Sequence, residues 1–304
     1  MTENATRILL VGLVDYAGLF PPAQLGMPAA VREYTAHRDS DAAWLLGRFI
    51  VPSARLEEME DAATALLPRD AGVEPWRISM LGGNDPADDA ERVWAFNERH
   101  AHTGPGRAVI DTMELRAADA AAAERVVRSV PAGVTAYVEI PLADDPADLI
   151  GVLRGAGARA KVRTGGVTVD AFPAPAQLAR FIRACADAGV AFKATAGLHH
   201  PVRGEFRLTY DADSPAGTMY GFLNVFLAAG FAAQGLALAE LEAVLTEADP
   251  AAFTFGDEGI AWRGRRLDLD DIRHLRARGA VAFGSCSFSE PVADLRALRI
   301  LREP

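Results

Sequence analysis

Of the 31 basic residues in this chain only Lys161 and Lys193 are lysine; all the others are arginine. The distinction matters chemically. An amine can shed its proton and attack a carbonyl carbon, whereas a guanidinium stays charged in any protein. Each lysine ends a short apolar run, ARAKV and VAFKA, and each is followed by a turn containing glycine, TGG and TAG. Two ammonium groups at neighbouring strand ends would each make the other easier to deprotonate. The simpler alternative is that both bind an anion as point charges.

The other candidates are polar residues at the ends of apolar runs. They are Asp15, Arg48, Asp111, Glu114, Glu139, Arg163, Thr195, His199, His200, Ser285, Cys286 and Ser287. A carboxylate with apolar flanks, as in VIDTM and YVEIP, is costly unless it is paired or functional, and the two lysines are the available partners. Glu114 lies an odd number of residues from Asp111, so a regular strand points the two to opposite faces; Asp111 is expected to face the site and Glu114 to face away. Adjacent histidines are a poor chelate on a strand for the same reason. Nothing next to Cys286 marks an activating base, which makes it a small buried filler.

These residues need a frame that gathers strand ends. Apolar runs punctuated by Pro, Gly and Asn-Asp-Pro mark strands at Ile8–Asp15, Ala43–Pro52, Arg77–Gly83, Arg107–Leu115 and Val134–Leu142. The two lysine runs follow, and Gly279–Phe288 comes last. Helical spacing follows most of them, as in Pro175–Ala188. Eight strand-then-helix units without a GxGxxG after the first strand predict a single-domain (β/α)8 barrel over residues 1–304 rather than an open doubly wound sheet. The interval of about 202–278 between the seventh and eighth strands is too long for one crossover and reads as an insertion. It carries helices near Tyr220–Gln234, Leu238–Glu247 and Asp268–Arg278 and a hairpin in Phe253–Leu267. Its position after the seventh strand makes it a candidate lid, with Arg203, Arg207 or Tyr210 reaching a ligand.

Composition narrows the function. The net charge of −10 and the lack of any basic run interleaved with aromatics point to a small-molecule substrate and away from nucleic acid. No apolar run is long enough for a membrane helix, and MTENATR lacks the layout of a signal peptide, so a cytoplasmic protein with no membrane association is expected. Cys185 and Cys286 alone make no disulfide framework and are expected as thiols. A homo-oligomer is left open.

The motifs resemble one family. Lys161 with Thr164-Gly165, then Phe192-Lys193-Ala194-Thr195-Ala196-Gly197-Leu198, then Phe283-Gly284 with Ser287, resemble the KTSTG, KASGGI and FGxSS strands of deoxyribose-phosphate aldolase. More loosely, LVDYAGLFPP is similar to that family's IDHTLLKP and VIDTM to its EIDMV. The resemblance implies a cofactor-free class I aldolase on a (β/α)8 barrel. Lys161 would form the Schiff base, Lys193 would keep it unprotonated, and Asp111 would take part in proton transfer, with Asp15 and Glu139 beside them. Substrate contacts are expected from residues at and just after the strand ends, Arg163, Thr164, Thr195, Gly197, His199, His200, Gly284, Ser285 and Ser287. The family's Gly-Gly is Ala196-Gly197 here, its first Ser of the eighth strand is Cys286, and His199-His200-Pro201 has no counterpart. A phosphorylated substrate is therefore less expected than the amine chemistry. Two other readings stand beside it. One is a metal-dependent isomerase or lyase using Asp111, Glu139 and His199 or His200; the other is a non-catalytic barrel holding an anionic metabolite on Lys161, Arg163 and Lys193.

Overall fold

The computed structural model describes residues 4–301. In chain order the first seven strands are β1 (Val14–Tyr16), β2 (Leu46–Pro52), β3 (Trp76–Leu81), β4 (Ala108–Arg116), β5 (Thr135–Glu139), β6 (Arg159–Arg163) and β7 (Phe192–Thr195). Helix α1 (Ala5–Leu10) precedes them, and α2 (Met27–Arg38), α3 (Leu56–Ala63), α4 (Pro86–His100), α5 (Ala120–Arg128), α6 (Ala147–Ala156) and α7 (Pro175–Ala188) connect them. The connecting helices α2–α7 cover the outer face of the sheet, as parallel strands joined by right-handed crossovers require.

After β7 the chain forms a hairpin, β8 (Gly204–Arg207) and β9 (Ala216–Met219), then α8 (Phe222–Ala233) and α9 (Leu238–Thr246). A three-stranded antiparallel sheet follows, β10 (Phe253–Gly256), β11 (Gly259–Trp262) and β12 (Arg265–Asp268), and then α10 (Leu269–Arg278). Strand β13 (Ala280–Ser285) and helix α11 (Ser289–Ala297) end the fold. Strand β13 pairs in parallel with β7 on one side and β1 on the other, setting Ala282 beside Lys193 and Gly284 beside Asp15. This closes an eight-stranded parallel barrel, the (β/α)8 architecture expected from the strand count.

Three local expectations are corrected. The apolar run from Ile8 does not begin as strand: ATRILL is a helix whose first turn is capped by the Asn4 side chain, accepting from Arg7 N–H at 2.9 Å, and β1 starts only at Val14. Ser53, expected from its type and its place before the amphipathic run ARLEEMEDAATALL to be a helix N-cap, instead opens a short 3₁₀ turn before α3 and makes no side-chain cap. The segment Phe253–Leu267 is a three-stranded meander rather than a hairpin.

The long excursion serves mostly as wall. Helix α8 is apolar nearly all round, and α7, α9, α10 and β13 all pack against it. Buried Asn224 ties the segment together: its side-chain amide donates to the carbonyls of Val244 (2.7 Å) and Glu247 (2.8 Å), and its oxygen accepts the Arg203 N–H. The meander packs against α1, with Ala5 N–H donating to the Asp257 carbonyl at 2.9 Å. Because α1 precedes β1, this part lies away from the barrel mouth, and the expected lid is reduced to the β8–β9 hairpin. Even there, Arg203 stacks on Tyr220 and Arg207 donates to carbonyls of its own turn, so neither reaches the cavity described below. No helix among the described residues is long and apolar enough to cross a membrane.

Candidate active site

Strands β6 and β7 run side by side in a register that sets Lys161 directly opposite Lys193. Both side chains enter the barrel, where their surroundings differ. Lys193 is fully buried, and its ammonium donates to Asp15 Oδ2 on β1 and to Glu114 Oε1 on β4, both at 2.6 Å. Lys161, with 4 % of its surface exposed, borders the cavity at the mouth. Its Nζ lies 3.0 Å from Glu114 Oε2 and 3.0 Å from Glu139 Oε2. One carboxylate therefore bridges the two amines.

The electrostatics follow from these contacts. Burial alone would raise the Glu114 carboxyl, but Lys193 and Lys161 outweigh it and hold the group far below the usual carboxylate range, with Ser79 Oγ donating to Oε1 at 2.7 Å. For Lys193, burial would favour the neutral amine; Asp15 and Glu114 reverse that and hold the ammonium above its ordinary range. Lys193 is thus a fixed cation in place. Asp15 is anchored from its other side, with Oδ1 accepting the Arg48 backbone N–H at 2.7 Å. The Tyr137 ring lies 5.6 Å from the Lys193 ammonium. Glu139 Oε2 is buried and has no hydrogen-bond partner beyond its approach to Lys161.

The cavity has a volume of about 200 Å³. Of the residues expected at the site, Lys161, Glu139, Arg163, Thr195, Gly197, His199 and Gly284 line it, and Asp15 and Lys193 lie behind that wall. The others are elsewhere. Thr164 is buried and donates to the Ala196 carbonyl at 2.8 Å, joining the loops after β6 and β7. His200 pairs with Asp294 at 2.6 Å and stacks on Phe206. Ser285 is buried behind the wall, and Ser287, just before α11, accepts the Glu290 N–H at 3.2 Å.

Asp111 is the main correction. Its carboxylate is held by Arg48 of β2 at 2.5 Å and Arg77 of β3 at 2.6 Å, residues near the starts of their strands. Burial would raise this carboxyl, but Arg48 and then Arg77 hold it below its ordinary value. The physical reason is a bulge: β3 pairs Ile78 with Ile110 but Ser79 with Thr112, leaving Asp111 as the extra residue. The extra residue resets the alternation along β4. Odd spacing then no longer separates the faces, and Glu114 takes the place by the lysines that was expected for Asp111.

Glu114 is thus the central residue that sequence reasoning set aside. A signal was present: Glu114-Leu115-Arg116 on β4 and Lys161-Val162-Arg163 on β6 share an acid- or amine-x-arginine pattern at the strand end, and Arg116 also lines the cavity. Around the mouth, Cys286 sits 3.6 Å from Tyr210 Oη of the hairpin, and burial pushes its thiol up, the reverse of what a nucleophile needs. His199 Nδ1 and Tyr210 Oη both meet Glu290 Oε2, at 3.1 and 3.0 Å. The backbone after β7 passes through two consecutive left-handed residues, Ala196 (φ 63°) and Gly197 (φ 72°). A Cβ at Gly197 would come within 2.9 Å of Gly165 Cα, so the two loops touch backbone to backbone.

His199 and His200 are paired with Glu290 and Asp294, and Asp111 with Arg48 and Arg77, so the donor set for the metal-dependent reading is not assembled; among the described residues no cluster of three or more His, Cys, Asp or Glu is placed to hold a metal ion. No protein-family model matches the chain, and no curated protein matches it.

Proposed function

We propose that this barrel is a class I carbon–carbon lyase of the aldolase type, in which Lys161 forms a Schiff base with a small carbonyl substrate. One observation carries the reading: of two adjacent interior amines, Lys161 alone borders the cavity, while Lys193 is locked as a buried cation between Asp15 and Glu114. This keeps the reaction class implied by the resemblance to deoxyribose-phosphate aldolase, with Glu114 rather than Asp111 as the interior carboxylate.

The roles follow from environment. Glu114 stays ionised between the amines, so it balances whichever charge develops on the Lys161 nitrogen. The sequence expectation gave Lys193 the direct task of keeping Lys161 unprotonated; the intervening carboxylate shields that effect and moves the task elsewhere. Glu139 Oε2, 3.0 Å from Lys161 Nζ and otherwise without a partner, takes the ammonium proton. The free amine then adds to the carbonyl carbon to give a carbinolamine. Glu139 returns the proton to its hydroxyl, water leaves, and a protonated imine remains. When the bond between the α and β carbons breaks, its electron pair passes to the iminium nitrogen as an enamine forms, and a base removes the proton of the β-hydroxyl as it becomes a carbonyl. Protonation of the enamine carbon and hydrolysis of the imine restore Lys161.

The test is reduction with borohydride in the presence of small aldehydes and ketones, followed by peptide mass spectrometry. An adduct is expected on Lys161 and none on Lys193. Lys161→Arg keeps the positive charge between Glu114 and Glu139 and should abolish the adduct, since guanidinium cannot form an imine. Labelling of Lys193 instead would reverse the roles, and no adduct on either lysine would leave a non-catalytic binding barrel as the better description.

A further inference from the structure

We infer that the substrate carries a carboxylate as well as its carbonyl, and that Arg116 and Arg163 bind it; this rests on the Schiff-base reading above. Arginines nearer the other end of the barrel have partners. Arg48 and Arg77 hold Asp111, and Arg159 donates to Tyr137 Oη at 2.9 Å. Arg116 and Arg163, both on the cavity wall, have no hydrogen-bond or ion-pair partner among the described residues. They are placed as a pair. Arg116 follows Glu114 by two residues on β4 and Arg163 follows Lys161 by two on β6, so alternation sets both one layer above the amine, on the same inner face. Strand β5 lies between them, with Glu139 in register with Arg116 on one side and Lys161 on the other. One layer is about 7 Å of strand. A ligand joined to Lys161 and pointing outward meets both guanidinium groups within a few bonds.

The charge balance selects the anion. Lys161, Lys193, Arg116 and Arg163 face the three carboxylates Asp15, Glu114 and Glu139, leaving one positive charge without a counterpart. A carboxylate cancels it, and its planar pair of oxygens matches the guanidinium fork. A phosphate, at about −1.5 to −2, overshoots. The turn where barrels often hold phosphate, before the last helix, is already occupied. Ser287 accepts the Glu290 N–H, and the Glu290 carboxylate stands beside that turn, held by His199 and Tyr210. A second anion there would meet a carboxylate. The cavity wall is thus polarised in its outer layer, cationic at Arg116 of β4 and Arg163 of β6 and closed to anions beside β13. The substrate class is an oxo acid of a few carbons.

The experiment uses pyruvate, acetoacetate and levulinate as oxo acids, acetone as the uncharged ketone and dihydroxyacetone phosphate as the phosphorylated one. Half-saturating concentrations for borohydride trapping on Lys161 are measured in the wild type and in the Arg116→Gln/Arg163→Gln variant, with calorimetric binding of the same compounds alongside. For at least one oxo acid, half-saturation at a concentration tenfold or more below that for acetone is expected in the wild type. That preference should shrink toward unity in the double variant, with a parallel loss of calorimetric affinity. Arg163→Lys, which keeps the charge without the fork, should fall between. A preference unchanged in the double variant, or dihydroxyacetone phosphate outcompeting every oxo acid, overturns the carboxylate site and leaves the Schiff base standing. No adduct from any compound, with oxo-acid binding still seen by calorimetry and lost in the double variant, supports the anion site and removes the Schiff base. Neither adduct nor binding overturns both.

Discussion

Replacing Glu114 by Gln removes the one charge shared by both interior amines while keeping the side chain's shape. In the native barrel the Lys193 ammonium is fully buried and has two carboxylate partners at 2.6 Å; the variant leaves it Asp15 alone. The amide also turns a donor toward one of the two lysines, where an acceptor stood. A hydrogen bond to a charged group contributes about 1.5–3 kcal/mol, and breaking a buried ion pair costs about 3–5 kcal/mol. Because Asp15 remains, a loss of about 3 kcal/mol is expected. For 304 residues the unfolding entropy near the midpoint is about 0.6 kcal/mol/K, so Tm should fall by about 5 °C. The pH dependence identifies the cause. Glu114 has a depressed carboxyl, so its contribution is fully present above the ordinary value of 4.5 and is lost as pH falls through the lower folded value. Lys193 is raised, so its contribution is fully present below 10.5 and is lost as pH rises through the higher folded value. The stability gap between wild type and variant, measured by urea unfolding at a series of pH values, should be flat from about pH 6 to 9 and narrow below about pH 4.5. A gap under about 0.5 kcal/mol at pH 7, or one that does not narrow in acid, would refute the placement of Glu114 as the charge balancing both lysines.

Asp111→Asn should cost about 1–3 kcal/mol through its pairs with Arg48 and Arg77, yet leave borohydride trapping on Lys161 intact; loss of trapping in a folded variant would return Asp111 to the site. Ala196→Gly relieves a left-handed residue and should raise stability by about 0.5–1 kcal/mol, read by urea unfolding; a decrease would show that the backbone there is not strained. Gly197→Ala does the reverse, and its Cβ would also press on Gly165 Cα, so the loops after β6 and β7 should separate and trapping should fall at least tenfold in a variant that still folds.

Much of the frame was legible because a parallel barrel writes itself as repeated short apolar runs with helical spacing between them. The two lysines were legible because one residue type is scarce. The start of the chain was not. A short apolar segment such as ATRILL has no periodicity that separates helix from strand, and only the Asn4 cap decides it. Asp111 and Glu114 were assigned the wrong way round because the bulge in β4 depends on how β3 pairs with it, which a count along one strand does not contain. The contacts of Glu290 with His199 and Tyr210 join residues 91 and 80 positions apart, and only the closed barrel brings them together.

The pairing of Lys193 with Asp15 and Glu114 bears on how the chain assembles. Its two partners lie 178 and 79 residues earlier. Asp15 and Glu114 come from the first and fourth strands and Lys193 from β7, so the early and late parts of the barrel each hold only one side of this buried ion group. Either part folded alone would bury its side of the group without the partner, which is costly. Neutralisation and closure are therefore one event. The ion group behind the mouth thereby acts as a latch, making a half-built barrel unstable and the completed ring cooperative.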